Sequence, residues 1–84
     1  MPLRRRITYG QLRKVLSDMG FREIRRDDGV ALKHAKSDTV FLFRPYEPTD
    51  RMQSAEIFLV TQELDARGLL EPESFEALLT RAPA

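Results

Sequence analysis

The stretch TVFLFR, residues 39–44, restricts the fold more than any other part of the chain. Its β-branched and aromatic residues favour a strand, and the proline that follows ends it. Alternate side chains of a strand point to opposite faces, so Val40 and Leu42 share one face while Phe41 and Phe43 share the other. Both faces of this strand are therefore apolar. We expect one face to pack on helices, and the other to need a further element or a second subunit to cover it.

Two further strand segments precede this one. FREIRR, residues 21–26, alternates along its length, and VALKHA, residues 30–35, follows it. Between them, Asp28 and Gly29 form a favoured turn pair, because both central residues of a tight hairpin turn need a positive φ. A second turn at KSD, residues 36–38, leads into the third segment. The three segments predict an antiparallel sheet of three strands.

The helix predicted before the sheet has clear signals at both ends. Thr8 is a favourable N-cap residue, and Gln11 three positions later completes the pattern of a capping box. Apolar side chains then recur at helical spacing, at Leu12, Val15, Leu16 and Met19. Gly20 can adopt the left-handed conformation that ends helices. These signals predict a helix over residues 9–19.

Two helices are predicted after the sheet. SAEIFLVTQELDARG, residues 54–68, is too long for a single strand and ends in a glycine, and Asp50 with Gln53 can cap its start. A shorter helix follows within residues 69–81, where Pro72 suits the first helical position. The order α-β-β-β-α-α predicts an α+β fold, a two-layer sandwich with helices on one face of the antiparallel sheet. Its α-β-β-β-α part has the order of double-stranded RNA-binding domains.

Length and composition narrow the classes of protein. A chain of 84 residues is expected to form one domain, with residues 1–7 as a flexible basic arm, residues 8–66 as the core and residues 69–81 as an extra helix. Because the chain has one histidine and no cysteine, we expect no disulfide, no metal site and no cofactor. No apolar run approaches the roughly 20 residues of a membrane span, and none follows the basic N-terminus as in a secretory signal. We therefore expect a cytoplasmic protein without a membrane partner.

Charge is distributed unevenly along the chain. Residues 1–51 hold 12 Lys and Arg against 7 Asp and Glu, whereas residues 52–84 hold 2 against 6. A basic first part can attract phosphate groups or an acidic partner. The candidate RNA-binding residues lie on and beside the predicted sheet: Arg22, Arg25, Arg26, Lys33, Lys36 and Arg44. Such contacts are sequence-independent and sensitive to salt. The alternative is that these charges only keep a small sheet solvated.

The segment YGQLRKVLSDMGFREIRR, residues 9–26, resembles the start of HicA-family toxins. The positions that carry the resemblance are Leu12, Leu16, Gly20 and Phe21, together with LKHA at residues 32–35. HicA toxins are small mRNA-cleaving ribonucleases with a double-stranded-RNA-binding-like fold, and a HicB antitoxin neutralises them. Over roughly residues 8–60, the resemblance therefore implies this fold, RNA as a ligand and a HicB-like antitoxin as a partner.

The chain departs from that family at the catalytic position. The family carries its histidine in a Gly-Ser-His or Gly-Gly-His segment that opens the second strand, whereas this chain reads DGV there. Alignment on Gly20 places the catalytic position on Val30, and alignment back from His34 places it on Gly29 or Val30. Neither residue can transfer a proton, and the loss of a general acid–base typically slows a reaction by about 10²–10⁴-fold. No catalytic residue is therefore assigned, and the activity of a ribonuclease is expected to be weak or absent.

His34 is the remaining candidate for a catalytic residue. It shares a strand face with Val30 and Leu32, and the sequence shows no partner that would orient its ring, so a half-exposed strand residue is the simpler reading. Three functions stay open. The chain is a HicA-like domain that binds RNA with weakened or no catalysis, a protein-interaction module or homodimer joined through the face of Phe41 and Phe43, or an active metal-free mRNA interferase that uses His34.

Overall fold

The computed structural model describes residues 7–82, and its elements follow the predicted order α-β-β-β-α-α. Their bounds are α1 (Tyr9–Asp18), β1 (Arg22–Arg26), β2 (Gly29–His34), a short 3₁₀ helix (Ala35–Ser37), β3 (Thr39–Phe43), α2 (Ser54–Ala66) and α3 (Pro72–Arg81). The predicted α+β class, with three helices and one three-stranded antiparallel sheet, is confirmed. The predicted basic arm, with Arg4, Arg5 and Arg6, and the last two residues of the tail lie outside the described residues.

The capping box of α1 is formed as predicted. The Thr8 hydroxyl oxygen accepts the backbone N–H of Gln11 at 3.2 Å, and the Gln11 side-chain oxygen accepts the backbone N–H of Thr8 at 2.9 Å. These bonds satisfy donors that a helix start otherwise leaves without a partner. Met19 is the C-cap, and Gly20 follows with a φ of 104°. The helix therefore ends within one residue of the predicted boundary.

The sheet has the strand order β1-β2-β3, so β1 and β3 are its edges. Both pairings are antiparallel. The register between β1 and β2 runs from Arg22 opposite Lys33 to Arg26 opposite Gly29. The register between β2 and β3 runs from Val30 opposite Phe43 to His34 opposite Thr39. These registers decide which side chains share a face.

The β1–β2 turn lies one residue earlier than predicted. It consists of Asp27 and Asp28, and Gly29 already pairs with Arg26 as the first residue of β2. Neither Asp28 nor Gly29 has a positive φ, so the prediction of a turn centred on this pair was wrong. Gly29 is needed for space instead, because a Cβ at this position would lie 2.6 Å from the carbonyl oxygen of Phe43 on β3.

The start of α2 also differs from the prediction. Its N-cap residue is Gln53, which makes no side-chain capping bond. Asp50 instead accepts the backbone N–H of Glu47 at 2.8 Å, so the prediction that Asp50 caps this helix was wrong. The carboxylate closes the loop before the helix. Pro72 occupies the first turn of α3, as predicted.

One face of the sheet packs with the helices to form the core. The sheet contributes Val30, Leu32 and Phe41, and the helices contribute mainly Leu12, Leu16, Ile57, Val60, Leu64, Phe75 and Leu79. Phe41 is only 8% exposed and Phe43 packs against this cluster. The face of Phe41 and Phe43, through which the homodimer left open by the sequence would join, therefore lies against the protein's own core. None of the helices within residues 7–82 is long and apolar enough to cross a membrane.

Candidate interaction surface

The face of the sheet that points away from the core carries apolar and basic side chains together. We call it the outer face and define it by Arg22, Ile24, Arg26, Ala31, Lys33, Val40 and Leu42. Ile24, Ala31 and Leu42 form one cross-strand row through its centre. Leu42 is 77% exposed, Val40 46% and Ile24 41%. Large aliphatic side chains of the two edge strands, β1 and β3, are thus exposed on one surface, with Ala31 of β2 between them.

The basic residues of the outer face have no acidic neighbours on it. Arg22, Arg26 and Lys33 are all exposed, and none of them forms an ion pair within residues 7–82. No strand position on this face holds a carboxylate. The positive charge of the outer face is therefore uncompensated by the described part of the chain, and it flanks the apolar row on β1 and β2.

The six predicted RNA-binding residues do not all lie on one face of the sheet. Arg22, Arg26 and Lys33 share the outer face, as alternation along the strands requires. The remaining three lie elsewhere: Arg25 is on the opposite face, Lys36 is in the 3₁₀ helix, and Arg44 follows β3. The Arg44 guanidinium carbon lies 5.8 Å from the ring centre of Tyr46. Half of the predicted set is thus brought together by the fold.

Arg25 anchors the edge of the sheet to the loop after β3. Its Nη2 donates to the carbonyl oxygen of Tyr46 at 2.7 Å, and Nη1 lies 3.8 Å from a carboxylate oxygen of Glu47. A third neighbour is Glu23, at 3.6 Å from Nη2. One hydrogen bond and two nearby carboxylates therefore hold the exposed Arg25 guanidinium against the fold.

Tyr9 and Glu23 form a second anchor that the sequence did not reveal. The fully buried Tyr9 hydroxyl donates to the Glu23 carboxylate at 2.6 Å, which ties α1 to β1. Burial raises the pKa of Tyr9 far above its ordinary value, and the hydrogen bond to Glu23 raises it further. Arg13 lies 3.7 Å from the other carboxylate oxygen. The contact joins residues 14 positions apart in different elements, and no local pattern marks it.

His34 caps the 3₁₀ helix. Its Nδ1 lies 2.6 Å from the hydroxyl oxygen of Ser37 and accepts the backbone N–H of the same residue at 3.3 Å. The ring lies on Phe21, with 4.9 Å between ring centres, and its Nε2 edge lies 3.4 Å from the place of a Cβ on Gly20. The guanidinium of Arg67 donates to the Ser37 carbonyl oxygen at 3.2 Å. His34 is therefore the N-cap residue of the 3₁₀ helix, and its Nδ1 contacts Ser37.

The HicA resemblance leaves two positions for a catalytic histidine: Gly29, half-buried at the start of β2, and Val30, inside the core. Val30 is 3% exposed and packs with the apolar residues under the sheet. A side chain at this position is shielded from a substrate. The described residues also contain no group of three or more His, Cys, Asp or Glu side chains that could hold a metal ion.

Comparison of the chain with protein-family models, with curated proteins and with solved structures finds no match. The sequence predicted that one face of β3, either that of Val40 and Leu42 or that of Phe41 and Phe43, would need a further element or a second subunit to cover it. It did not single out Ile24, although the alternation of Arg22, Ile24 and Arg26 was visible in it.

Proposed function

We propose that this chain is a non-catalytic binding domain whose outer face docks a protein partner that carries acidic residues. The observation behind the proposal is the row of Ile24, Ala31 and Leu42, with Leu42 77% exposed, among cations that have no ion-pair partner in the described chain. An apolar centre with a charged rim is the usual anatomy of a protein interface. The cations set the chemistry of the partner, which must supply carboxylates.

A second copy of the chain fits this surface poorly. A two-fold dimer places the same patch of both subunits in contact. The outer face would then bring Arg22, Arg26 and Lys33 of one subunit against the same cations of the other, with no carboxylate on either patch. Like charges in an interface oppose association. The charges therefore favour a different, acidic protein.

The kind of exposed side chain favours protein over RNA. Sheets that bind single-stranded RNA present aromatic rings on which bases stack. The outer face offers aliphatic side chains, and the two phenylalanines of β3 point to the core. Aliphatic surface is stabilised by apolar contacts that a phosphate backbone does not provide. The resemblance of the sequence to HicA toxins also supports a protein partner of the HicB antitoxin class.

Two findings support the absence of catalysis. Neither Gly29 nor Val30, the two positions that align with the family's histidine, can transfer a proton, and Val30 is buried among apolar side chains. The Nδ1 of His34 accepts a backbone N–H and contacts a serine hydroxyl as part of a cap. We therefore propose that the domain acts by binding a partner and catalyses no reaction.

A matched pair of variants tests the surface. Leu42→Asp changes the outer face, and Leu59→Asp makes the same change at a 65% exposed leucine on α2. Proteins that the tagged wild-type chain captures from cells of its source are identified and purified, and each is titrated against the wild type and both variants. We expect an acidic partner whose Kd is unchanged by Leu59→Asp and at least ten-fold weaker with Leu42→Asp. A partner that responds equally to both variants would contradict the proposal.

RNA binding is the second candidate, and the exposed, unpaired side chains of Arg22, Arg26 and Lys33 favour it. Phosphate contacts need such cations and lose affinity steeply as salt rises. Titration of the chain with double-stranded RNA at two salt concentrations tests this candidate. Salt-sensitive binding that Lys33→Glu abolishes and the uncharged Leu42→Ala leaves intact would replace the protein partner with RNA.

A further inference from the structure

The outer edge of β1 has free backbone hydrogen-bonding groups. Arg26 and Gly29 close the two-residue turn, and the residues that close such a turn exchange both of their backbone hydrogen bonds. Every second residue of β1 bonds to β2 in this way, so the intervening Glu23 and Arg25 direct their N–H and C=O groups away from it. Within residues 7–82, no other element forms a backbone hydrogen bond with either residue. Two donors and two acceptors therefore line this edge.

The side chains of β1 give the edge a specific pattern on the outer face. Arg22, Ile24 and Arg26 alternate along it as cation, aliphatic group and cation, and all three are exposed. The corresponding positions of β3, the other edge strand, are Val40 and Leu42, which carry no charge. Only the β1 edge therefore combines free backbone groups with a charge pattern that can select a partner.

We infer that the partner of this domain adds an extended acidic strand, antiparallel, to the free edge of β1. The inference rests on the proposed function and gives its mode of recognition. In this arrangement, the backbone groups of Glu23 and Arg25 bond to the added strand, and such main-chain bonds supply affinity in strand addition. Side chains at alternate positions supply specificity. The added strand places carboxylates opposite Arg22 and Arg26 and an aliphatic side chain opposite Ile24.

The charges of β1 also explain why the occupant is a foreign strand. Charged side chains on an edge strand prevent pairing between identical chains. Two β1 strands in antiparallel contact would bring Arg22 and Arg26 of one chain towards the arginines of the other. A foreign strand can carry acidic residues at its first and fifth positions and an aliphatic residue at its third. Its charge interaction with Arg22 and Arg26 is then attractive instead of repulsive. The same residues thus block self-association and admit an acidic segment.

The test uses a synthetic peptide, Thr-Thr-Glu-Thr-Val-Thr-Glu-Thr-Thr, added at millimolar concentration to the isotope-labelled protein. The readout is amide hydrogen exchange measured residue by residue by NMR. We expect exchange at the amides of Glu23 and Arg25 to slow at least ten-fold with bound peptide. The amides of Arg22, Ile24 and Arg26 bond to β2 already, so their exchange should change little.

Two control peptides separate backbone pairing from charge. N-methylation of the two threonines between the glutamates and the valine removes the main-chain donors, and we expect it to abolish binding. A peptide with lysines in place of both glutamates should bind at least ten-fold more weakly. A protein with Arg22→Glu and Arg26→Glu should reverse that preference, because both substituted side chains are exposed and the fold does not depend on them.

The outcomes distinguish the inference from the proposed function. Peptide-induced shifts at Ala31 and Leu42 without slower exchange at Glu23 and Arg25 would overturn strand addition and leave docking on the outer face intact. Equal binding of the lysine peptide would overturn the acidic specificity. If no peptide binds, but a natural partner binds the Leu42→Asp variant more weakly than the wild type, strand addition alone is likewise overturned. A partner that Leu42→Asp leaves unaffected overturns the proposed function itself.

Discussion

Arg22 of β1 and Lys33 of β2 lie directly opposite each other on the outer face of the sheet. Neither side chain forms an ion pair with a residue in the described range 7–82. Like charges at directly opposed positions of an antiparallel pair destabilise the sheet. A carboxylate of a partner placed near both side chains would relieve this repulsion. The pair therefore lowers the stability of the free domain and favours an acidic partner.

Lys33→Glu should therefore stabilise the free domain while it weakens partner binding. We expect the free energy of unfolding to rise by about 0.2–1 kcal/mol, since an opposed charge pair replaces a repulsive one. Urea denaturation at low salt measures the gain, which should shrink in high salt because exposed charges are screened. In an Arg22→Ala background the gain should vanish. Lys14→Glu, an equal charge change on α1, should leave partner binding unchanged.

Gly29→Ala should destabilise the sheet through a steric clash. The new Cβ would lie 2.6 Å from the carbonyl oxygen of Phe43, and both groups belong to paired backbone. We expect a cost of about 1–3 kcal/mol, as for other insertions into a packed site. Chemical denaturation gives the value, and faster amide exchange in β2 and β3 locates it. Gly68→Ala is the comparison: its site has open space, and only its φ of 70° is unfavourable, so exchange in the sheet should not change.

The Tyr9 hydroxyl predicts a loss of stability at alkaline pH. Burial, followed by the hydrogen bond to Glu23, raises the pKa of Tyr9 in the folded protein above the ordinary 10.0. The stabilisation is therefore complete below about pH 10 and is lost as the pH rises above that value. Unfolding free energies measured from pH 8 to pH 11 should fall more steeply for the wild type than for Tyr9→Phe. At neutral pH, Tyr9→Phe should cost about 1.5–3 kcal/mol, typical of a hydrogen bond to a charged group. Equal slopes for both proteins would contradict this assignment.

His34 should behave as a capping residue in a substitution series. His34→Ala removes the acceptor for the Ser37 N–H and should cost about 1 kcal/mol, as for other helix caps. His34→Asn keeps an acceptor and should recover part of that stability in a thermal melt. Neither variant should change partner binding. A metal-free RNA cleavage activity in the wild type that both variants lose would instead assign His34 to catalysis.

Local chemistry explains which parts of the fold could be predicted. The start of α1 rests on Thr8 and Gln11, and its end on Gly20, all within one turn of the boundaries that they define. Asp28 and Gly29 show the limit of this reasoning. The two residues are adjacent in the sequence and match the composition of a tight hairpin turn. The carbonyl of Phe43 on another strand, however, limits the space beside Gly29, and no local pattern shows this.

The same limit applies to the candidate site. Arg25 and Arg26 are adjacent and chemically identical in the sequence, and alternation puts them on opposite faces. Only the folded chain brings the Tyr46 carbonyl to Arg25 and leaves Arg26 without an ion-pair partner in the described region. Partners 21 positions apart are not encoded in any local pattern.

The sequence alone determined that β3 has two apolar faces, because strand side chains alternate and Val40, Phe41, Leu42 and Phe43 are all hydrophobic. It could not determine which face would be buried, since both satisfy the same pattern. The tertiary structure decided this: the helices pack on the side of Phe41, which is 8% exposed, and leave Leu42 77% exposed. The physical reason is that burial depends on where the other elements of the chain can pack, and that is a property of the whole fold rather than of one strand.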